Sequence, residues 1–559
     1  MKMLKYVAAI ILFYGCNTGQ DNVSPSSSSS DNTRVVYHTD TIYLTRNAEI
    51  TPANSYSDLF LDTASVTQFI QSKNLSADDQ KSFESFYNYR NLQFAWFTSG
   101  GLTEQAKGFW NLQDKFGSKA DKSLQNKMDT LLNMDTLVVS RYDTTILNTE
   151  LALTRAYIQF YKINKGKTQF ANTSFEKAIP VKKENTMVLA DSLLMQHPDS
   201  SASSLSSPYF LLMQKLQFYN TALKSGAWNT ININSKQLKK GASSPAVSLL
   251  KKRLELTGDM TGSDTSRVFN DSLVTAIKNY QLHNGMKPTG ILSDTVLKSL
   301  NIPLEKRIQQ IIINIKRMQW MPVMQDANYI AVNIPDFMLN VFENRSKSFD
   351  MPVAVGKEGT NTTMFTGDLN QIVFSPYWNI PASIVQREIL PKIKSDPNYL
   401  KSRHMEIVGK NDSLPIIRQL PGPDNSLGKA KFLFPNRYDI YFHDTNAKDI
   451  FSKDKRAVSH GCIRLADAEK MANYLLRNNN TWSPEKIHDA MNNGKEQFVK
   501  LSPVMPVIIT YYTAWVDDAG QLNFRDDVYG NDKKIGQMMF EDVAISVMPP
   551  AKKDSVKNK

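Results

Sequence analysis

Between about residues 35 and 230, apolar residues recur at three- and four-residue intervals, in segments such as SFESFYNYRNLQFAWF at 82–97 and TELALTRAYIQFYKI at 149–163. That spacing lines one face of an α-helix and predicts a helical domain. The rhythm shortens between 235 and 302, where SSPAVSLLKKRLELTGD, NDSLVTAIKNYQLHNGMKPTG and SDTVLKSLNI each read as one short helix. Each has a start signal: Ser243 or Ser244 before Pro245, Asn270 or Asp271, and Ser293 or Asp294. Side chains of these types cap the free N–H groups of a first turn. A longer amphipathic helix, PLEKRIQQIIINIKRMQWMP at 303–322, follows and reads as a connector.

Beyond it the period changes to two, in YIAVNI at 329, FMLNVFE at 337, MPVAV at 351, QIVFSPYW at 371, YDIYFH at 438 and VIITYYTAWV at 507. Alternation of this kind predicts strands, so residues 327–530 form a β-rich domain. An insertion at about 380–435 interrupts it, helical around SIVQREILPKI at 383–393. Long insertions in compact domains tend to be functional lids. Residues 531–559 remain as a C-terminal extension. The expected class is multidomain α+β: a helical N-terminal scaffold over 35–230, a three-helix module over 235–302 and a β-rich domain with a capping insertion.

The N-terminus follows neither rhythm. Lys2 and Lys5 precede an apolar run from Tyr6 to Tyr14, then Gly15 and Cys16. Residues 1–16 read as a signal peptide, too short to span a bilayer. A small residue followed by cysteine resembles a bacterial lipoprotein signal, which implies lipidation of Cys16 and a membrane anchor. Phe13 departs from the usual Leu of that pattern, and plain secretion is the alternative. Residues 17–34, with Ser26 to Ser30 in one run, read as a tether.

Composition narrows the picture little. At 559 residues, with 41% hydrophobic and 21% charged, the chain is an ordinary globular protein of several domains. The net charge of +12 is scattered, partly into Lys552, Lys553, Lys557 and Lys559. No folded basic stripe with interleaved aromatics stands out, so nucleic acid is not an expected partner. Trp96 and Trp110 read as helix-packing core.

The cysteines change it more. Only Cys16 and Cys462 occur, and a lipidated Cys16 would leave Cys462 alone in a compartment that permits disulfides. A lone thiol there is either a small buried hydrophobe or a working nucleophile. Of the seven histidines, His443 and His460 lie within twenty residues of Cys462. Imidazole provides the base a thiol needs to populate its thiolate at neutral pH. In SHGCIRL, Ser459 to Leu465, Gly461 permits a tight turn, and the amides of Gly461 and Cys462 are candidates to face an oxyanion. Spacing leaves both histidines open as the base: His460 shares a face with Cys462 if the segment is extended, and His443 ends a strand that can lie beside it. Tyr441 is either an oxyanion donor or core, and Trp378 either walls a donor pocket or packs. No HExxH or HxxEH spacing exists, so no metal is expected, and His404 and His488 stand isolated.

A histidine, some fifteen residues, then Ser-His-Gly-Cys, a hydrophobic residue and Arg resembles the signature of the L,D-transpeptidase (YkuD-type) family. FYNYRNLQFAWF, SPYWNIP, RQLPGPDNSLGKAKFLFPN, IYFHDT and YYTAWVDDAGQLNFRDDVYG extend the resemblance to its large, scaffolded YcbB-like branch. The 235–302 module resembles a peptidoglycan-binding domain, with Tyr280, Gln281, Gly285 and Gly290 at matching positions. The resemblance implies Cys462 as nucleophile, His443 as general base and acid, and the Asp444 backbone carbonyl orienting His443. It also implies that His460 supports the pocket and that Arg464 holds substrate carboxylate or braces the site. The implied reaction joins peptidoglycan stem peptides through a cysteine thioester into 3→3 crosslinks, with no cofactor. An L,D-carboxypeptidase, an enzyme attaching protein to peptidoglycan, and a catalytically idle wall-binding lipoprotein are the alternatives.

Overall fold

The computed structural model describes residues 36–38, 41–43 and 45–541, apart from 118–120, 133, 135–136, 165–173, 196–206, 234–237, 323, 325 and 412–413. Cys16, the serine tether and the tail beyond 541 lie outside the described residues. The chain divides into residues 1–45 and 46–559. In the first unit Val36–His38 pairs antiparallel with Thr41–Tyr43. Everything below concerns the second.

The scaffold is helical, with Thr63–Ser72, Ala77–Tyr89, Glu104–Phe116, Lys122–Leu132, Thr144–Asn164, Thr186–Met195 and Pro208–Lys224 among its elements. Trp96, Trp110 and Tyr157 sit fully buried in one aromatic core, the packing role expected of the tryptophans. The helix expected across 82–97 stops at Tyr89, because Asn91 and Leu92 turn the backbone to positive φ. Beyond the turn the buried Glu150 carboxylate accepts the N–H groups of Ala95 and Trp96 at 2.7 and 2.9 Å, in place of helical partners. That burial raises the Glu150 carboxyl to about 7.

The three-helix module has the expected form: Pro245–Leu256, Asp271–His283 and Asp294–Leu300, capped by the side chains of Ser244, Asn270 and Ser293. The Leu304–Gln319 helix is more than a connector. Ile308, Ile311, Ile312 and Ile315 are fully buried along it, and Arg317 near its end bonds Glu104 of the scaffold and Asp532 of the C-terminal helix. Trp320 then lies on Gly108, where a Cβ would come within 2.6 Å of the tryptophan Cβ. That contact leaves room for glycine only. The extension expected from residue 531 begins as part of the fold, since Ile535 and Met539 of the Asn531–Met539 helix join the connector core.

The C-terminal domain is built on a nine-stranded mixed sheet. Its order is Ala457–Ser459, Ser346–Gly356, Ile463–Leu465, Phe442–His443, Ala430–Leu433, Phe365–Phe374, Gln497–Thr510, Tyr329–Asn333 and Met338–Glu343. The last strand also pairs with Ser346–Gly356, closing the sheet on itself around a core that includes Ile372, Phe432, Phe442, Ile463 and Ile509. The strand expected from Tyr438 shrinks to Phe442–His443. The Asn436 side chain binds the backbone of Phe434, Tyr438 and Ile440, and Asp439 takes φ +51°, so this stretch is a turn.

The capping insertion is helical from Ala382 to Ser395, as the pattern predicts, with a π-turn at Val385–Ile389 just before Pro391. A proline removes one helical donor, and a π-turn is one way for a helix to accommodate it. Not foreseen was a hairpin, Met405–Asn411 with Leu414–Gln419, joined by Trp378–Asn379 into a three-stranded sheet.

Candidate active site

Two short parallel strands bring the candidate residues together. Phe442 lies opposite Ile463 and His443 opposite Arg464, and the Ile463 N–H donates to the Tyr441 carbonyl at 3.1 Å. In that register Tyr441 falls opposite Cys462. Alternate residues of a strand share a face, so Tyr441, His443, Cys462 and Arg464 project to one side. All four line a cavity of about 1180 Å³, together with Trp378, Ser459 and His460.

The Cys462 thiol faces the Asp439 carbonyl at 3.6 Å, and Tyr441 lies on the same face beside it. Burial pushes this thiol up to about 11, although the Tyr441 contacts pull the other way. His443 is buried, and its Nδ1–H donates to the Asp444 carbonyl at 2.5 Å. Burial first, then the positive charge of Arg464, lowers its imidazole to about 4. At neutral pH these shifts favour a thiol beside a neutral imidazole.

Asp444 is itself held firmly. Its carboxylate accepts from Lys448 Nζ at 2.6 Å and from the Lys429 N–H at 2.9 Å. It packs on Gly428, which has φ +63° and where a Cβ would come within 2.5 Å of Asp444 Oδ2. Its carbonyl is thus fixed toward the ring and leaves Nε2 as the nitrogen for proton transfer. His460 takes another partner: its Nε2 lies 2.7 Å from Glu388 Oε1, on the π-turn of the capping insertion.

The Ser-His-Gly-Cys turn needs its glycine for backbone reasons, since Gly461 has φ +116° with open space around a would-be Cβ. Ser459 Oγ accepts the Gly461 N–H at 3.2 Å and donates to the Cys462 carbonyl at 2.5 Å. In this turn the Gly461 amide, a candidate oxyanion donor, is engaged by Ser459. A further brace was not foreseen. Thr362 Oγ1 donates to the Gly461 carbonyl at 2.7 Å and accepts the Gly356 N–H at 2.9 Å, while Tyr529 OH donates to the Gly356 carbonyl at 2.7 Å. Thr362 and Tyr529 are remote from the motif, and no local pattern marks them.

Arg464 is half-buried at the cavity wall, with its Nε buried and lacking a hydrogen-bond partner among the described residues. Trp378 forms part of the opposite wall from the capping sheet. Among the described residues no helix is long and apolar enough to cross a membrane.

Residues 327–509, which hold all of these groups except Tyr529, match the family model described as "L,D-transpeptidase catalytic domain". The chain carries an L,D-transpeptidase domain. Residues 81–214 match a "Scaffold domain" and 243–300 a "Putative peptidoglycan binding domain". A Haemophilus influenzae protein named "Putative L,D-transpeptidase" is 28% identical over 243 residues, 41% of this chain and 49% of that one. The match thus spans about half the length of this curated relative. Among solved structures, the L,D-transpeptidase (Yku) of Stackebrandtia nassauensis is similar with 14% identity over 44% of this chain and 91% of that one, at a TM-score of 0.21. An L,D-transpeptidase from Mycobacterium smegmatis is similar with 14% identity over 33% and 58%, at a TM-score of 0.19. The L,D-transpeptidase domain and the peptidoglycan-binding module occur here in one chain, joined by the buried Leu304–Gln319 helix.

Proposed function

We propose that this chain forms 3→3 peptidoglycan crosslinks through a thioester on Cys462. The observation that carries this reading is the shared face of Cys462, His443, Tyr441 and Arg464 on two parallel strands at one cavity. As the thiol attacks the carbonyl carbon of the L,D-bond in a tetrapeptide stem, His443 Nε2 takes its proton. The Tyr441 phenol, beside the sulfur, donates to the developing oxyanion. Collapse breaks the C–N bond, His443 returns the proton to the departing D-alanine amine, and the donor stays as a thioester. The side-chain amine of a diamino acid on a second stem then attacks, losing its proton to His443. Collapse expels the sulfur, which takes that proton back.

The neutral resting pair suits this sequence, because proton transfer and attack then occur only when a carbonyl is present. Arg464, with one unpartnered N–H, pairs with a stem carboxylate. The capping insertion, tied to the motif by His460 and Glu388, limits competing water. The peptidoglycan-binding module directs the chain to the cell envelope, and a lipid on Cys16 anchors it to the membrane there.

Incubating Cys462→Ala with tetrapeptide muropeptides and reading products by mass tests the assignment. Dimer should vanish while the melting curve stays that of the parent; dimer at the parent's level would refute it. Tripeptide without dimer from the parent would instead point to an L,D-carboxypeptidase.

A further inference from the structure

We propose that the helical scaffold is a positioning device for the nucleophile, acting through Asp114 and Asp129 on the Asn436–Ile440 loop. The proposal rests on the reading of Cys462 as the reacting thiol.

One side of this loop belongs to the scaffold. Arg437 Nη1 donates to Asp129 Oδ1 at 2.6 Å and Nη2 donates to Asp114 Oδ2, across 308 and 323 positions of sequence. Its guanidinium also lies over the Trp110 ring, 5.7 Å from the centroid. Asp114 and Trp110 come from the Glu104–Phe116 helix and Asp129 from Lys122–Leu132. A fourth residue, Asn111, donates to the Met364 carbonyl at 2.7 Å and accepts from the Tyr438 hydroxyl at 3.4 Å.

The other side of the loop belongs to the reaction. Asp439, two positions after Arg437, presents its carbonyl to the Cys462 sulfur. Tyr441, four positions after Arg437, falls opposite Cys462 and lines the same cavity. Between these ends the chain is stiff, because Asn436 makes three hydrogen bonds to the loop's own backbone and a fourth to the Phe434 carbonyl, and Asp439 takes positive φ. A rigid segment held at one end and touching the thiol at the other passes displacement along instead of absorbing it. Arg437 is mostly buried, so loss of both carboxylates leaves a cation that must seek water and carry the loop with it. Asp114 and Asp129 never touch substrate; they act through Asp439 and Tyr441.

The test uses the full chain carrying Asp114→Asn and Asp129→Asn, two positions exposed enough to accept the change without unfolding. We expect kcat for dimer formation to fall about 10- to 100-fold, the scale of a small misplacement at a reacting centre. KM should stay within about two-fold, as for an interaction that matters only in the transition state. Iodoacetamide labelling of the Cys462 peptide, followed against pH by mass, should move to lower pH as the thiol becomes wetter. The Asp114→Glu, Asp129→Glu variant should restore both readouts. A labelling profile that superimposes on the parent's overturns the proposal, as does failure of the glutamate variant to restore rate and profile. If the parent makes no dimer, the functional reading falls, and the labelling profile alone still decides whether the scaffold controls the thiol.

Discussion

Two arginines show how the connector junction and the reactive pocket differ. Arg317 is buried with carboxylates on two sides, Glu104 at 2.5 Å and Asp532 at 2.9 Å, and bonds Asn314 as well. Arg464 is half-buried with no ion pair among the described residues and its Nε unpartnered. Burying a charge is costly unless partners replace water, so a satisfied cation reads as architecture and an unsatisfied one at a cavity wall as awaiting an anion. The junction spends its charges inside the fold. The pocket keeps one without an ion pair among the described residues.

The contrast is broken most sharply at His443. His443→Gln should lower kcat by about 10²- to 10⁴-fold, the range for loss of a general base, with the melting temperature unchanged. A parent-like rate in steady-state crosslinking assays would return the base assignment to His460. Arg317→Met should do the reverse. It leaves Glu104 and Asp532 buried without their cation, a loss of about 3–5 kcal/mol in urea unfolding, while folded protein keeps its specific activity.

Titration sharpens the pocket side. The folded His443 resists protonation until about pH 4, whereas an unfolded histidine accepts a proton near its ordinary 6.5. Its contribution is therefore complete above about pH 6.5 and is lost as pH falls toward 4, by about 3 kcal/mol in unfolding experiments across that window. The acid limb of kcat/KM should lie near pH 4 as well; a limb near 6.5 would show that substrate-free His443 is not buried as described. Smallest in effect is Arg464→Met. Stability should stay within about 0.5 kcal/mol, since no internal partner is lost. The KM for a donor stem should rise about ten-fold or more, as for a lost charge-assisted hydrogen bond.

Local signals made much of the fold legible. Ser244, Asn270 and Ser293 announced the three-helix module because a cap acts within three residues of itself. The period-two runs at 329, 337, 351 and 507 marked strands for the same reason. What stayed hidden depends on residues far apart in sequence. Thr362 reaches Gly461 across 99 positions, and Arg437 reaches Asp114 across 323. The strand expected at Tyr438 failed because Asn436 offers the backbone local hydrogen bonds that compete with a ladder. At the site, spacing alone left His443 and His460 open. Parallel pairing puts the first on the Cys462 face, and Glu388 engages the second.

The raised thiol of Cys462 has a consequence for the lifetime of the protein. Peroxides attack thiolates, forming sulfenic acid and then the irreversible higher acids. With its thiol pushed up to about 11, resting Cys462 is held as the thiol at neutral pH. Here desolvation, by holding the sulfur as a thiol, makes the resting molecule durable against oxidants.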